Sequence, residues 1–186
     1  MNVYDFDKTI YHGDSTAHFF IYCLKTQPST WKWLPYQGLC AIPFALRIMK
    51  KTAFKQRFYS FLKSVRDIDG TVEAFWKIHK KNIKPFYAET RREDDVIISA
   101  SPYFLLEPVC RELGVRLIAT PMDKKTGKIQ GRNCHDSEKV RRFYEEYPGA
   151  HTENFYSDSL SDSPMAEIAD NAYMVKKHKL SKWPKR

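Results

Sequence analysis

Apolar residues recur in two rhythms along this chain, and the rhythm changes twice. Residues 2–6 read as a short strand that ends in the polar cluster Asp5-Phe6-Asp7-Lys8-Thr9, as expected where a strand hands over to a loop. From residue 15 to about 87 the spacing becomes helical, as in Phe54, Phe58, Phe61, Leu62 and Val65, within a stretch rich in Trp, Tyr, Lys and Arg. Beyond Arg92 strands and helices alternate. Residues 96–100 predict a strand, 103–113 a helix stopped by Gly114, and 115–119 another strand. Residues 121–131, with Asp123, Lys124, Lys125, Thr126 and Gly127, predict a hairpin or flap. A helix over 137–147, stopped by Pro148-Gly149, precedes a strand at 152–156. Residues 172–175 predict the last strand, and the basic tail after it is expected to be solvated and partly disordered.

This order predicts an α/β protein with a Rossmann-like parallel sheet and a helical segment inserted after the first strand. Residues 1–14 and 88–186 are expected to form the core and 15–87 a helical cap. The 186 residues, 42% hydrophobic, suffice for such a domain without covalent staples. Cys23, Cys40, Cys110 and Cys134 show no CxxC pair, so neither a zinc knot nor a disulfide framework is expected, and a reducing, cytoplasmic setting is the simpler reading. No basic leader followed by an apolar core opens the chain, so a cleaved signal peptide is not expected.

A formal net charge of +9 suits an anionic partner: a phosphate ester, an acidic membrane surface or nucleic acid. The run 34–49 is apolar but contains Pro35, Gln37, Pro43 and Arg47, and it falls short of the roughly 20 residues of a spanning helix. Trp31, Trp33 and Tyr36 before it, with Arg47, Lys50, Lys51, Lys55 and Arg57 after it, follow the order of a membrane-interface segment. Packing inside the cap accounts for the same residues and is the expectation adopted.

The chemistry concentrates in acids. Asp5 and Asp7, one residue apart at the end of the first strand, can be turned by a loop toward one space. Two carboxylates so close resist sharing charge unless a cation intervenes. A second pair, Asp158 and Asp162, follows a later strand, and a parallel sheet brings both pairs to its carboxyl edge. Four acids meeting there make a hard-oxygen site of the kind magnesium takes. Ser99 ends another strand beside backbone amides suited to phosphate oxygens, and Lys139 adds a fixed positive charge. His12, His18, His135 and His151 are scattered without ligand spacing and receive no role.

In order and across most of the chain, strand-DFDKT, strand-ISAS, a helix bearing Lys139 and strand-SDSLSD resemble the four motifs of the haloacid dehalogenase superfamily. The resemblance implies a magnesium-dependent phosphatase. It makes Asp5 the nucleophile, Asp7 the general acid and base, Thr9 a hydroxyl that steadies the first loop and Lys139 the charge-offsetting lysine. It also gives phosphate to Ser99 and the backbone at Ala100, with Ser101 second to Ser99, and Mg2+ to Asp5, Asp7, Asp158 and Asp162. A helical cap between the first two motifs is similar to subfamily IB, the phosphoserine phosphatase branch, including type C phosphatidylglycerophosphate phosphatases. DFDKT, ISASP and SDSLSD look nearest to that last group. Asp14 stands where phosphoserine phosphatases place a substrate-binding glutamate, one methylene shorter.

A basic, aromatic cap suits a lipid phosphate approached from an anionic membrane surface, so peripheral membrane contact stays open. A small soluble metabolite such as phosphoserine is the alternative substrate. A non-catalytic binding module on the same fold is a third reading, and no nucleic-acid partner is expected.

Overall fold

The computed structural model describes residues 1–46, 48 and 51–184. Its strands are β1 (Asn2–Tyr4), β2 (Val96–Pro102), β3 (Arg116–Thr120), β4 (Thr152–Ser157), β5 (Ala169–Lys176) and β6 (Lys179–Lys182). They form one sheet in the order β3-β2-β1-β4-β5-β6. The first five run parallel, and β6 pairs antiparallel with β5.

The central parallel strands carry buried apolar residues on both faces, and alternate residues enter two separate cores. Val3, Val96, Ile98, Ile118 and Phe155 point into one core with Phe143 and Met165. Tyr4, Ile97 and Tyr156 point into the other, which also holds Phe19, Tyr59, Phe61, Phe75 and Leu106. The second core is therefore shared between the sheet and the helical region that follows β1.

That region comprises α1 (Ser15–Thr26), α2 (Leu34–Ala45), α3 (Lys51–Phe58), α4 (Ile68–His79) and α5 (Pro85–Thr90), joined in part by 3-10 turns. Asp14 and Asp67 cap α1 and α4, accepting from the N–H groups of Ala17 and Gly70 at 2.9 and 3.0 Å. Trp76 on α4 donates its ring N–H to the Leu105 carbonyl at 2.6 Å, which ties the helical region to α6 (Tyr103–Leu113). Gly114 ends α6 at φ 65°, the left-handed conformation its missing Cβ permits. On the other side of the sheet lie α7 (Ser137–Glu146) and α8 (Ser163–Glu167).

Two expectations are corrected here. The tail is solvent-exposed as expected but ordered: residues 179–182 form β6, and Trp183 donates to the Ala172 carbonyl at 2.9 Å with its ring 5.9 Å from Phe155. An unpaired β5 edge offers backbone groups to any neighbouring segment, and the turn at Lys177 (φ 55°) returns the chain to it. Lys185 and Arg186 lie outside the described residues.

The run 34–49 is not packed inside the cap either. Leu39, Ile42 and Leu46 are 68%, 59% and 64% exposed, because only a thin face of α2, carrying Gln37 and Cys40, turns inward. Arg47, Met49 and Lys50 lie outside the described residues, and no helix among those described is long and apolar enough to cross a membrane.

Candidate active site

Strand order reverses around β1, since the chain leaves it for β2 on one side and reaches β4 on the other. Such a reversal opens a crevice at the carboxyl ends of the strands. A cleft of about 400 Å³ lies there, lined by Asp5, Asp7, Ser99, Lys139, Asp158 and Asp162 on the sheet side. Thr16, Phe54, Lys55, Phe58 and Tyr59 of the helical region form the facing wall.

The first loop is fixed by its own backbone. Asp5 N–H continues the ladder to the Tyr156 carbonyl at 2.9 Å, and the N–H groups of Ile10 and Tyr11 both turn back to the Phe6 carbonyl at 3.1 and 3.0 Å. Phe6 between the two acids is fully buried, which leaves Asp5 and Asp7 to face the cleft. Lys8 takes φ 59°, its N–H bonded to the Gly13 carbonyl at 2.8 Å, while the buried Lys84 ammonium donates to the Lys8 carbonyl. Thr9 stitches two strand ends together: its hydroxyl donates to Asp5 Oδ2 at 3.4 Å and accepts from the Asp158 N–H at 2.9 Å.

Lys139, in the first turn of α7, is 1% exposed. Its ammonium lies 2.7 Å from Asp5 Oδ1 and 2.8 Å from Asp162 Oδ2, and Ser157 donates its hydroxyl to the same Asp162 oxygen at 2.7 Å. Burial opposes the charge on Lys139, but the Asp5 and Asp162 carboxylates outweigh it and hold its affinity for a proton above the usual lysine range. Burial also raises the Asp5 carboxyl, against the pull of Lys139 and with the help of Asp162. Asp7 is raised by burial and by Asp14, and Asp158 by burial against Lys8.

Asp7 accepts from the Ser15 N–H at 2.6 Å and from the Ser101 hydroxyl at 2.5 Å. Ser99 and Ser101 play different parts: the Ser99 hydroxyl accepts from the Ser101 N–H at 3.1 Å, and Ser101 holds Asp7. A break in the β2–β3 register between Ser99 and Pro102 lets Ala100 and Ser101 swing into the cleft. The Ala100 carbonyl accepts from Thr120 at 2.7 Å and from the Lys55 ammonium. Asp14 lines the cleft, but one of its oxygens caps α1.

The structure thus brings Asp5, Asp7, Ser99, Ala100, Lys139, Asp158, Asp162 and Asp14 around one opening, with Thr9 buried beneath it. In this arrangement no three acid, histidine or cysteine side chains among the described residues are gathered as a metal shell. The donor chemistry nevertheless fits a hard divalent cation, because the buried carboxylates outnumber the one ammonium between them. Asn133, His135, Thr16, Tyr59 and Lys55 also line the cleft. Each is isolated in the sequence, and the helix-like spacing around Phe54 and Phe58 marks a helical segment without placing it against the cleft.

The haloacid dehalogenase-like hydrolase family model matches residues 3–167. The chain belongs to the haloacid dehalogenase-like hydrolases. Its fold is similar to that of a protein of unknown function from Bordetella pertussis Tohama I, 19% identical over 92% of this chain and 87% of that one, with a TM-score of 0.77. A phosphoserine phosphohydrolase-like protein from Francisella tularensis is 12% identical over 92% and 86%, with a TM-score of 0.55. A phosphoserine phosphatase in a phospho-aspartyl intermediate analogue form is 16% identical over 91% and 82%, with a TM-score of 0.53. At these identities the likeness is one of fold. No curated protein is matched by the sequence.

Proposed function

We propose that this hydrolase is a magnesium-dependent phosphatase that transfers the phosphoryl group of a phosphate monoester to Asp5 and then to water. The observation that carries the reading is the Asp5 carboxylate at the tip of β1, held by Lys139 at 2.7 Å, with Asp7 facing the same cleft two residues on. Asp5 attacks phosphorus, and Lys139 offsets charge on nucleophile and phosphate. Asp7, aligned by Ser15 and Ser101, protonates the leaving oxygen and then takes a proton from the water that opens the aspartyl phosphate. Ser99 and the backbone at Ala100 receive phosphate oxygens. Mg2+ would be held by oxygens from Asp5, Asp7, Asp158 and Asp162, and when bound it lowers the repulsion between the phosphate and the acids. Residues 1–14 and 88–186 serve as the catalytic core, and 15–87 as the cap that selects substrate.

The substrate class we favour is a lipid or glycerol-type phosphate such as phosphatidylglycerophosphate, met at the cytoplasmic face of a membrane. Phe54, Phe58 and Tyr59 give the cap wall an apolar character that suits a bulky remainder, and Lys55 gives it a charge. Phosphoserine is the second reading, favoured by the fold shared with phosphoserine phosphatases and weakened by Asp14, whose carboxylate is engaged in capping. Turnover of short-chain phosphatidylglycerophosphate, phosphoserine and p-nitrophenyl phosphate is to be compared with and without Mg2+. Hydrolysis of phosphoserine alone would overturn the lipid assignment. Failure on all three substrates would favour a non-catalytic module.

A further inference from the structure

Helix α2 turns large apolar side chains to solvent, followed by Ile48 at 76% exposure and preceded by Trp31 at 59%. Single exposed apolar residues are ordinary on protein surfaces, but a run from one helix and its flanks is the kind of patch that marks an interaction site. Its inner face is anchored, since the Gln37 side-chain amide donates to the Phe58 carbonyl at 2.9 Å. The outward residues are thus held on a fixed support beside α3, which also lines the cleft through Phe54 and Phe58.

The border of this surface supplies the charge argument. Lys32 stands exposed between Trp31 and Trp33, the Lys63 ammonium lies 5.7 Å over the Trp33 ring, and the Trp33 and Tyr36 rings are 5.9 Å apart. Amphipathic aromatic rings with lysines beside an apolar helix fit the boundary of an anionic bilayer, where rings settle at headgroup level and ammonium groups meet lipid phosphates. The helix is too short to span, so it would lie in the interface plane.

We propose that α2, bordered by Trp31, Lys32 and Lys63, docks this protein on an anionic lipid bilayer and so brings the cleft to phosphorylated headgroups. The docking deepens the phosphatase reading, and its purpose rests on that reading.

The test uses the purified full chain with vesicles of phosphatidylcholine alone or mixed with phosphatidylglycerol. Sedimentation is measured at low and high salt, and Mg2+-dependent hydrolysis of p-nitrophenyl phosphate is followed on the same preparations. The wild type is expected to sediment with the mixed vesicles, and less so at high salt. Leu39→Ser with Ile42→Ser should weaken binding by at least about tenfold. Lys32→Glu with Lys63→Glu should weaken it by more than roughly fivefold per lysine, since each change removes an attractive charge and adds a repelling one. Hydrolysis of the soluble ester should be unchanged in both variants. The proposal is overturned if the wild type stays in the supernatant with mixed vesicles, if Leu39→Ser with Ile42→Ser binds like the wild type, or if the face proves to hold two copies together with no vesicle binding. Vesicle binding without hydrolysis of any ester would support the docking and sink the phosphatase reading, so the two failures are distinguishable.

Discussion

Replacing Lys139 by methionine keeps most of the side chain's volume and removes the ammonium that Asp5 and Asp162 share at 2.7 and 2.8 Å. Two carboxylates, with side chains 11% and 4% exposed, then lose their counter-charge. Removing one partner of a buried ion pair costs about 3–5 kcal/mol. The lower end applies here, because Asp162 keeps the Ser157 hydroxyl and burial already favours the neutral form of Asp5. A loss of about 3 kcal/mol is a large share of the roughly 5–15 kcal/mol that holds a domain folded. For a chain of this size it should lower Tm by about 6–12 °C. Urea and thermal unfolding, followed by tryptophan fluorescence with a chelator present, measure this directly. Adding Mg2+ should then stabilise the variant more than the wild type, since the acids lack their internal cation. Turnover of p-nitrophenyl phosphate should fall by about 10²–10³, the usual effect of removing one group that stabilises developing charge. A stability change under about 1 kcal/mol would refute the buried-pair reasoning. An unstable variant with unchanged turnover would leave Lys139 a structural cation and refute its place in the mechanism.

Asp5→Asn should abolish turnover and keep the fold, because an amide nitrogen cannot attack phosphorus, and near-normal hydrolysis would disprove the nucleophile. Fluoroberyllate with Mg2+ should raise Tm, by the equivalent of about 2.7 kcal/mol at one hundred times its Kd, while no shift at saturation counts against a phosphate pocket. Glu138 is held at about 2, below the usual glutamate range, by the Arg141 fork with Arg142 alongside. A depressed carboxyl stabilises above its unfolded value of 4.5, and that stability is lost as pH falls toward 2. Glu138→Gln should therefore cost roughly 1 kcal/mol at neutral pH, since water screens the Arg141 head, and should flatten the acid limb of a stability–pH curve. Gly127 sits at φ 72°, and a Cβ there would come within 2.5 Å of the Tyr59 carbonyl oxygen. Gly127→Ala should cost roughly 2 kcal/mol more than Gly149→Ala, which has the same φ and open space around it, in parallel thermal melts.

What the sequence disclosed follows from where side chains are forced. Strands buried on both faces carry apolar runs, as in Val96-Ile97-Ile98 and Leu117-Ile118-Ala119, so β2 and β3 could be read from their composition, and Gly114 marked the end of α6 because its conformation excludes most other residues. The acids were conspicuous for the opposite reason: Asp5 and Asp162 are buried carboxyl groups, which packing alone gives no cause to retain. The direction in which α2 faces was not legible, because helical spacing identifies apolar positions and says nothing about whether protein or solvent lies against them. β6 was hidden for a related reason. Its four residues are all exposed, with no alternation to betray a strand, and its place is set by the free edge of β5. Asn133 and His135 were invisible as cleft residues because the loop that delivers them is shaped by contacts distant in sequence, such as Lys55 donating to Asn133.

The cap wall and the acid loop are joined by one chain of hydroxyls. Tyr59 meets Thr16 at 2.6 Å, Thr16 meets Ser101 at 3.3 Å, and Ser101 donates to Asp7 at 2.5 Å. Each hydroxyl has one proton to give, so the direction Thr16 chooses helps to decide whether Ser101 remains a donor to the carboxylate. A substrate that displaces Thr16 or Tyr59 from this chain would thus alter the hydrogen bonding of the proposed acid and base without touching it. Phe61 and Phe75 of the helical region share a core with Tyr4 on the central strand. The wall at Thr16 and Tyr59 is therefore hydrogen-bonded to the groups proposed to react, and changes at these two residues should appear in turnover as well as in affinity.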